Sequence, residues 1–340
     1  MNETAAEELL RVAEEAGAQL AGLEAHAAAQ RLEASYHALD DAFDWFCDQG
    51  RADEGLRLGL ALVNFWQATS RITEGRERLG RALSLRATED ASRAEALFQA
   101  GLLAFWQGDD AAATSLHQQS LALARRLGDP TGAAQALTGL ARIALRTDID
   151  RARALSQEAL DTVAGIDEQR GHANALHLLG VTAQMAGELE EARHWMSRRL
   201  ALAQQMGSYR AAASEAANLS MVERQLGNLV RARDLACEAL RVSDQRGDDW
   251  MIPYCLSGLA AIDVAEEAYE RAVLLLAAAA RLMTEQGTAW PPDEAPHFER
   301  SRATAAQALA PGRFAQAWGR GQALSHAEAV ALALGSDPSH

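Results

Sequence analysis

Apolar residues recur at three- and four-residue spacing along almost the whole chain, and no alternating strand pattern interrupts them. That period predicts an all-α protein. A longer period lies over it. Ala152, Ala192, Ala232 and Ala272 stand 40 residues apart, each behind an arginine or glutamate and each opening an apolar helical stretch. Gly207, Gly247 and Gly287 close those stretches at the same 40-residue interval. Gly128 lies 79 residues before Gly207, and Asp167 takes the glycine position in the unit between them.

Each unit reads as two helices, A and B, clearest in residues 174–187 and 188–207. Gly108, Gly187 and Gly227 are placed to end helix A, because glycine enters the left-handed conformation without penalty. Ser208, Asp129, Asp248 and Thr288 follow the glycine that ends helix B and are placed to cap the next helix A. A small residue within helix A (Gly101, Gly180 or Ser220) and the early alanine of helix B allow the two helices to approach closely. This is tetratricopeptide logic with a period longer than the usual ~34 residues. The unit length also overlaps the HEAT and armadillo range; the short glycine turn and the small facing residues favour the tetratricopeptide reading.

The predicted fold is an all-α, tetratricopeptide-like helical-repeat solenoid, a right-handed superhelix of roughly 40-residue units with a C-terminal helical cap. Residues 1–90 hold N-terminal helices and a degenerate repeat, with Ser70 where glycine would end helix A. Residues 91–287 hold the regular repeats, and 288–340 the capping helices and tail, all in one continuous superhelical domain. In the last segment Pro291, Pro292 and Pro296 delay the next helix, and Gly319-Arg320-Gly321 is expected to break one. Ser325 with Glu328 reads as a capping box. Phe314, Trp318, Leu324, Val330 and Leu334 are expected to pack onto the exposed end of the last repeat.

Composition narrows the chemistry. With 340 residues and 49% hydrophobic content the chain can bury a large interior. A net charge of −15 is a poor basis for gripping phosphate backbones, so no direct nucleic-acid partner is expected. Every basic residue is arginine, which excludes a Walker lysine, a Schiff-base lysine and a kinase-type lysine. Cys47, Cys237 and Cys255 are far apart and odd in number, which suits buried reduced thiols and a cytoplasmic location. The acidic, amphipathic N-terminus is no signal peptide, and no apolar run of about 18 residues predicts a membrane span.

Catalytic and metal signatures are absent from the sequence. There are nine histidines but no HExxH or CxxC, and His172 and His177 share no helix face well. No Gly-x-Ser-x-Gly occurs, and Cys255 reads as a small buried hydrophobe. Asp40, Asp44 and Asp48 recur at four-residue spacing with Asp41 beside them; a solvated face and acid/base chemistry are the two readings, the first far more common. No cofactor is expected.

The closing residues 314–334 resemble the C-terminal signature of a large bacterial family, in the Phe314, Trp318 and Gly321 spacing and the Ala-Leu-Ser start. These are predicted ATPase regulators of AfsR-like and LuxR type, signal-transduction ATPases with a tetratricopeptide sensor. Residues 32–46 and 64–83 are similar to the family's sequence just after its ATPase part. The resemblance runs over roughly residues 5–335 and implies a sensor region that binds an inducer or partner protein. The family's P-loop ATPase would lie before residue 1, and its helix-turn-helix outside this region. The expectation is therefore an excised sensor segment or a stand-alone relative.

On tetratricopeptide geometry, the concave groove is expected to present Asn64 and Gln67, then His177 and Gln184, then Asn218 and Arg224, then Tyr254. Phe65-Trp66 and Phe105-Trp106 sit at equivalent places, and one ring of each pair is a candidate to line the groove. Three functions compete: a non-enzymatic module binding a protein segment or small-molecule effector in signalling or transcriptional regulation; a recruited enzyme pocket around His177, Asp263 or Tyr254; and a homodimeric scaffold joined through its end helices. The first leads.

Overall fold

The structure is a computed structural model, and it describes residues 1–20, 25–69, 71–85, 88–166, 169–291 and 294–335. Ser70, Asp167 and Pro292 fall outside the described residues. Seventeen α-helices and no strand are present among them. They form two compact units, Met1–Leu179 and Gly180–His340. This division rests on packing, whereas the segments 1–90, 91–287 and 288–340 rest on repeat register.

The first unit contains α1 (Glu3–Gln19), α2 (Ala25–Asp48), α3 (Ala52–Ala68), α4 (Ile72–Ser84), α5 (Ala91–Trp106), α6 (Asp110–Leu127), α7 (Pro130–Ala144) and α8 (Ile149–Thr162). The helix α9 (Gln169–Met185) runs across the boundary. Pairs α3/α4, α5/α6 and α7/α8 are the A and B helices of successive repeats, and each A helix packs on the next. Ala113 and Ala152 are fully buried at the start of α6 and α8, as close A–B approach requires. His117 of α6 wedges between Gly101 of α5 and Gly139 of α7, where an added Cβ would lie 2.6 Å from the imidazole ring. The aspartates of α2 are ion-paired, not simply solvated. Arg78 pairs with Asp40 and, at 2.7 Å, with Asp44; Arg81 reaches Asp44 at 2.5 Å and Asp48 at 2.7 Å.

The second unit contains α10 (Leu189–Gln205), α11 (Tyr209–Gln225), α12 (Leu229–Arg246), α13 (Ile252–Ala265), α14 (Tyr269–Glu285), α15 (Ala295–Ala308), α16 (Pro311–Ala323) and α17 (His326–Leu334). Ala192, Ala232 and Ala272, the residues of the 40-residue register, are all fully buried. Where Ser220 replaces the small glycine of helix A, its hydroxyl donates to the Ala232 carbonyl at 2.7 Å, turning close approach into an interhelical hydrogen bond. Gly108, Gly187 and Gly227 end their A helices at positive φ, as do Gly128, Gly207, Gly247 and Gly287 after the B helices.

Helix capping departs from expectation. Asp129 accepts from the Gly132 amide at 3.0 Å, as its position required. Ser208 is the N-cap of α11 but makes no side-chain cap. Asp248 pairs with Arg210 instead, and the caps of α13 and α15 are Met251 and Glu294. Asp90, Asp109 and Asp148 are the further side-chain caps of A and B helices in the first unit.

The C-terminal segment holds a second correction. Helix α16 does not break at Gly319-Arg320-Gly321; it continues to Ala323. A Cβ at Gly321 would collide with the backbone of Leu274, so this glycine serves contact between α16 and α14 rather than a turn. Ala317 joins Val273 and Ala305 in a buried cluster, flanked by Phe314 and Trp318. Ser325 and Glu328 form the expected capping box at the start of α17. That helix returns along α12, α13 and α14. Arg281 donates to the Leu324 carbonyl at 2.9 Å, Arg271 to that of Ala333 at 3.1 Å, and His326 Nε2 lies 3.2 Å from Asp244.

Candidate functional site

The A helices of the second unit carry polar side chains at repeat-equivalent positions. Gln184, Arg224 and Val264 are 40 residues apart on α9, α11 and α13. Gln184 is only 7% exposed, and its Nε2 is buried with no hydrogen-bond partner. Arg224 is half-buried, and its Nε is likewise buried without an acceptor. Burial lowers the Arg224 pKa from its ordinary value, and the positive charge of Arg300 on α15 adds to the effect. A guanidinium removed from water without a counter-ion is costly, because neither Coulomb attraction nor hydrogen bonding replaces the lost hydration.

The neighbouring charges show what a satisfied arrangement looks like. Arg199 of α10 is buried and donates to Glu215 of α11 at 2.8 Å and to the Ala211 carbonyl at 2.9 Å. Asn218 adds a longer bond to the same carboxylate oxygen at 3.4 Å, so it belongs to this buried network. Asp263 is fully buried on α13 between Arg233, at 2.8 Å, and Arg271, at 3.2 Å. Burial raises its pKa, and the two arginines oppose the rise. With both oxygens facing guanidinium groups that join α13 to the B helices, Asp263 acts as a tie between repeats.

At the other end of α13, Tyr254 is half-buried in a run of aromatic rings. Its centroid lies 6.3 Å from Trp250 and 5.5 Å from Trp290, and Trp290 stacks on Phe298 at 4.9 Å. Tyr254 stands ten residues before Val264, which occupies the Arg224 position, so the two features lie about 15 Å apart along the helix axes. The Cys255 thiol is held at the same end, where burial pushes its pKa up to about 12.

The remaining expected residues are placed as follows. His177 is buried on α9. In the first unit Asn64 is exposed and Gln67 half-buried on α3. Both Phe65 and Trp66 are buried, so neither ring of that pair is open. Trp66 donates to the Tyr36 hydroxyl at 2.8 Å. Phe105 is buried, whereas Trp106 is half-buried under the Arg142 guanidinium, 5.7 Å from the ring centre. Arg300 was not expected, because the proline run shifts α15 out of the 40-residue register. A signal was present all the same. Neither Arg224 nor Arg300 has an acidic residue three or four positions away, the spacing at which helical arginines find partners.

Among the described residues no group of three or more histidine, cysteine or acidic side chains is arranged to hold a metal ion. No described helix is long and apolar enough to cross a membrane.

Comparison with known proteins places these features in context. A tetratricopeptide repeat family matches residues 92–164. A Mycobacterium tuberculosis protein named as an HTH-type transcriptional regulator is 27% identical over 227 residues, 64% of this chain and 26% of the relative. The chain thus spans about a quarter of the length of the curated relatives it matches. Among solved structures, a Rap protein complexed with competence and sporulation factor is similar over 92% of this chain and 99% of its own, with a TM-score of 0.52 and 14% identity. A signal-transduction ATPase with a tetratricopeptide repeat sensor from Pyrococcus horikoshii is similar over 95% of this chain and 53% of its own, with a TM-score of 0.49 and 12% identity. At 14% identity the Rap likeness speaks for the fold alone. Helix pairing, register and repeat match agree: the chain is an all-α, tetratricopeptide-like helical-repeat solenoid.

Proposed function

We propose that the chain is a non-catalytic recognition module that binds a protein segment or a small effector on the A-helix face of its second unit. The observation that carries this reading is the pair of buried donors, Gln184 Nε2 and Arg224 Nε, left without acceptors at equivalent places in successive repeats. Buried donors are rarely left unpaired, and a ligand that supplies acceptors removes the penalty. The aromatic run at Trp250, Tyr254 and Trp290 offers apolar contact area on the same unit. Helical repeats of this type present extended faces suited to recognition. The mycobacterial relatives are named as HTH-type transcriptional regulators, and the Rap protein is complexed with competence and sporulation factor. The name of the mycobacterial relatives supports a role in regulation. The module acts in the cytoplasm, where its three buried thiols remain reduced.

Selection of a displayed random-peptide library on the immobilised protein tests the proposal. Enriched peptides should cross-link to α11, α13 and the end of α9, and Tyr254→Ala should weaken them. Failure to enrich any sequence together with the absence of a bound small molecule in native mass spectrometry, or cross-links confined to α10, α12 and α14, would overturn it.

A further inference from the structure

Four residues beyond its early alanine, each B helix from α6 to α14 places a buried side chain. It is Ser156 in α8, Met196 in α10, Ala236 in α12 and Leu276 in α14. In α6 it is His117, the one ionisable residue of the series. Packing alone does not call for a histidine here. Met196 stands 2.7 Å from a Cβ placed at Gly180, just as His117 stands against Gly101. The two glycines are 79 residues apart, the interval that also separates Ala113 from Ala192, so methionine fills the same seat one unit later.

The surroundings of His117 offer nothing to a proton. The ring is fully buried, and neither nitrogen has a hydrogen-bond partner. On α5 it meets Phe98 and Gly101. The ionisable residues of that helix are engaged elsewhere, Arg93 with the Leu83 carbonyl at 2.9 Å and Glu95 with Gln99 at 2.6 Å. On α7 it meets Gly139, and the one ionisable residue of that helix, Arg142, brings positive charge and no acceptor. On α6 itself Asp110 pairs with Arg146 at 3.1 Å, Arg125 with Glu158 at 2.6 Å and Arg126 with Glu89 at 2.7 Å. A charged imidazole in this seat has lost its hydration and gained no hydrogen bond, so burial keeps the ring neutral well below the range in which histidine ordinarily titrates. An open seat returns both nitrogens to water, where the ring takes up a proton near pH ~6.5. Acid therefore favours the open seat, by up to about tenfold in population per pH unit below that point.

We propose that His117 is an acid-operated latch of the first unit: protonation releases α6 from its seat between α5 and α7, while the second unit, with Met196 in the corresponding seat, stays closed. The latch stands or falls separately from the recognition reading, which concerns the second unit.

The test is hydrogen exchange of the full chain, read by mass spectrometry at about pH 7.5 and about pH 5.5 and corrected for the intrinsic effect of pH on amide exchange. Protection across α6 and the facing turns of α5 and α7 should fall by about tenfold between the two, and that of α10 and α12 should hold. Protection of α6 that ignores pH, or an equal loss in α6 and α10, overturns the latch on the unmodified protein alone, whether or not any variant folds. His117→Met, which copies the second unit, should keep α6 protected at the lower pH; a variant as acid-sensitive as the parent overturns the latch as well. Labelling with ¹⁵N-histidine reads the ring directly. Neutral imidazole should persist in the folded protein at the lower pH, and a spectrum in which all nine rings are charged while α6 keeps its protection overturns the proposal.

Discussion

His117 shows how much one side chain can carry. Neither ring nitrogen has a hydrogen-bond partner, and the ring lies 5.4 Å from Phe98 with Gly101 and Gly139 against it. Burial drives its pKa down to about 3, with the charge of Arg142 a smaller contribution. In the unfolded chain the imidazole takes up a proton near pH 6.5, whereas in the folded protein it stays neutral to about 3. Its contribution is therefore complete above pH 6.5 and falls as the pH drops towards 3, by at most about 1.4 kcal/mol per pH unit. His117→Leu, of similar bulk, should flatten the stability profile between pH 6.5 and 5 in urea titrations; an unchanged slope would show that the ring is not held neutral. Glu267 makes a second case. It occupies the turn position of Gly187 and Gly227 with a φ of 62°, which disfavours any residue with a Cβ. Glu267→Gly should raise the denaturation midpoint, by about 0.5–1 kcal/mol once the extra freedom of glycine in the unfolded chain is counted. A lower midpoint would show that the Glu267 side chain contributes more than its backbone costs.

Between elements, polar ties hold one repeat to the next. Arg199 on α10 and Glu215 on α11 form a buried pair, so removing one partner leaves an uncompensated charge. Glu215→Ala should cost about 3–5 kcal/mol, and the double change with Arg199→Met should recover most of it; calorimetry on the two variants checks both. A double variant no better than the single one would mean that the carboxylate, not the pair, matters. Such ties also mark the limit of what the sequence discloses. The 40-residue register and its glycines placed the helix pairs from Ala91 to Glu285, because backbone turns and small contact residues are local requirements. Which polar residues of helix A face a neighbour was not legible. Asn218 and Arg224 are six positions apart on one helix, yet the first completes a buried ion pair and the second has no acceptor. That difference depends on what the other helices supply, Arg199 of α10 beside Glu215 in the first case and no acceptor in the second. Gly321 misled for a similar reason, since a glycine that admits a neighbouring backbone looks in sequence like one that ends a helix.

For the whole molecule, a chain built from repeats distributes its stability along its length. Each compact unit has its own tryptophans, Trp66 in the first and Trp250 in the second, both buried. Unfolding in guanidinium should therefore be non-coincident. Single-tryptophan proteins retaining Trp66 or Trp250 should report different midpoints, and helix content should fall over a range spanning both; superimposed curves would establish one cooperative block. The equal turns have a consequence for ancestry. Gly207 and Gly247 share a φ of 65°, so unequal crossing-over that excised residues 208–247 would join Gly207 to Asp248 through the same backbone geometry. The side chains would not agree to the exchange. Cys255 holds the place that Glu215 holds one repeat earlier, and Arg199 would then confront a thiol in place of its carboxylate. The backbone of this protein permits its repeats to be shuffled; its buried charges give them an order.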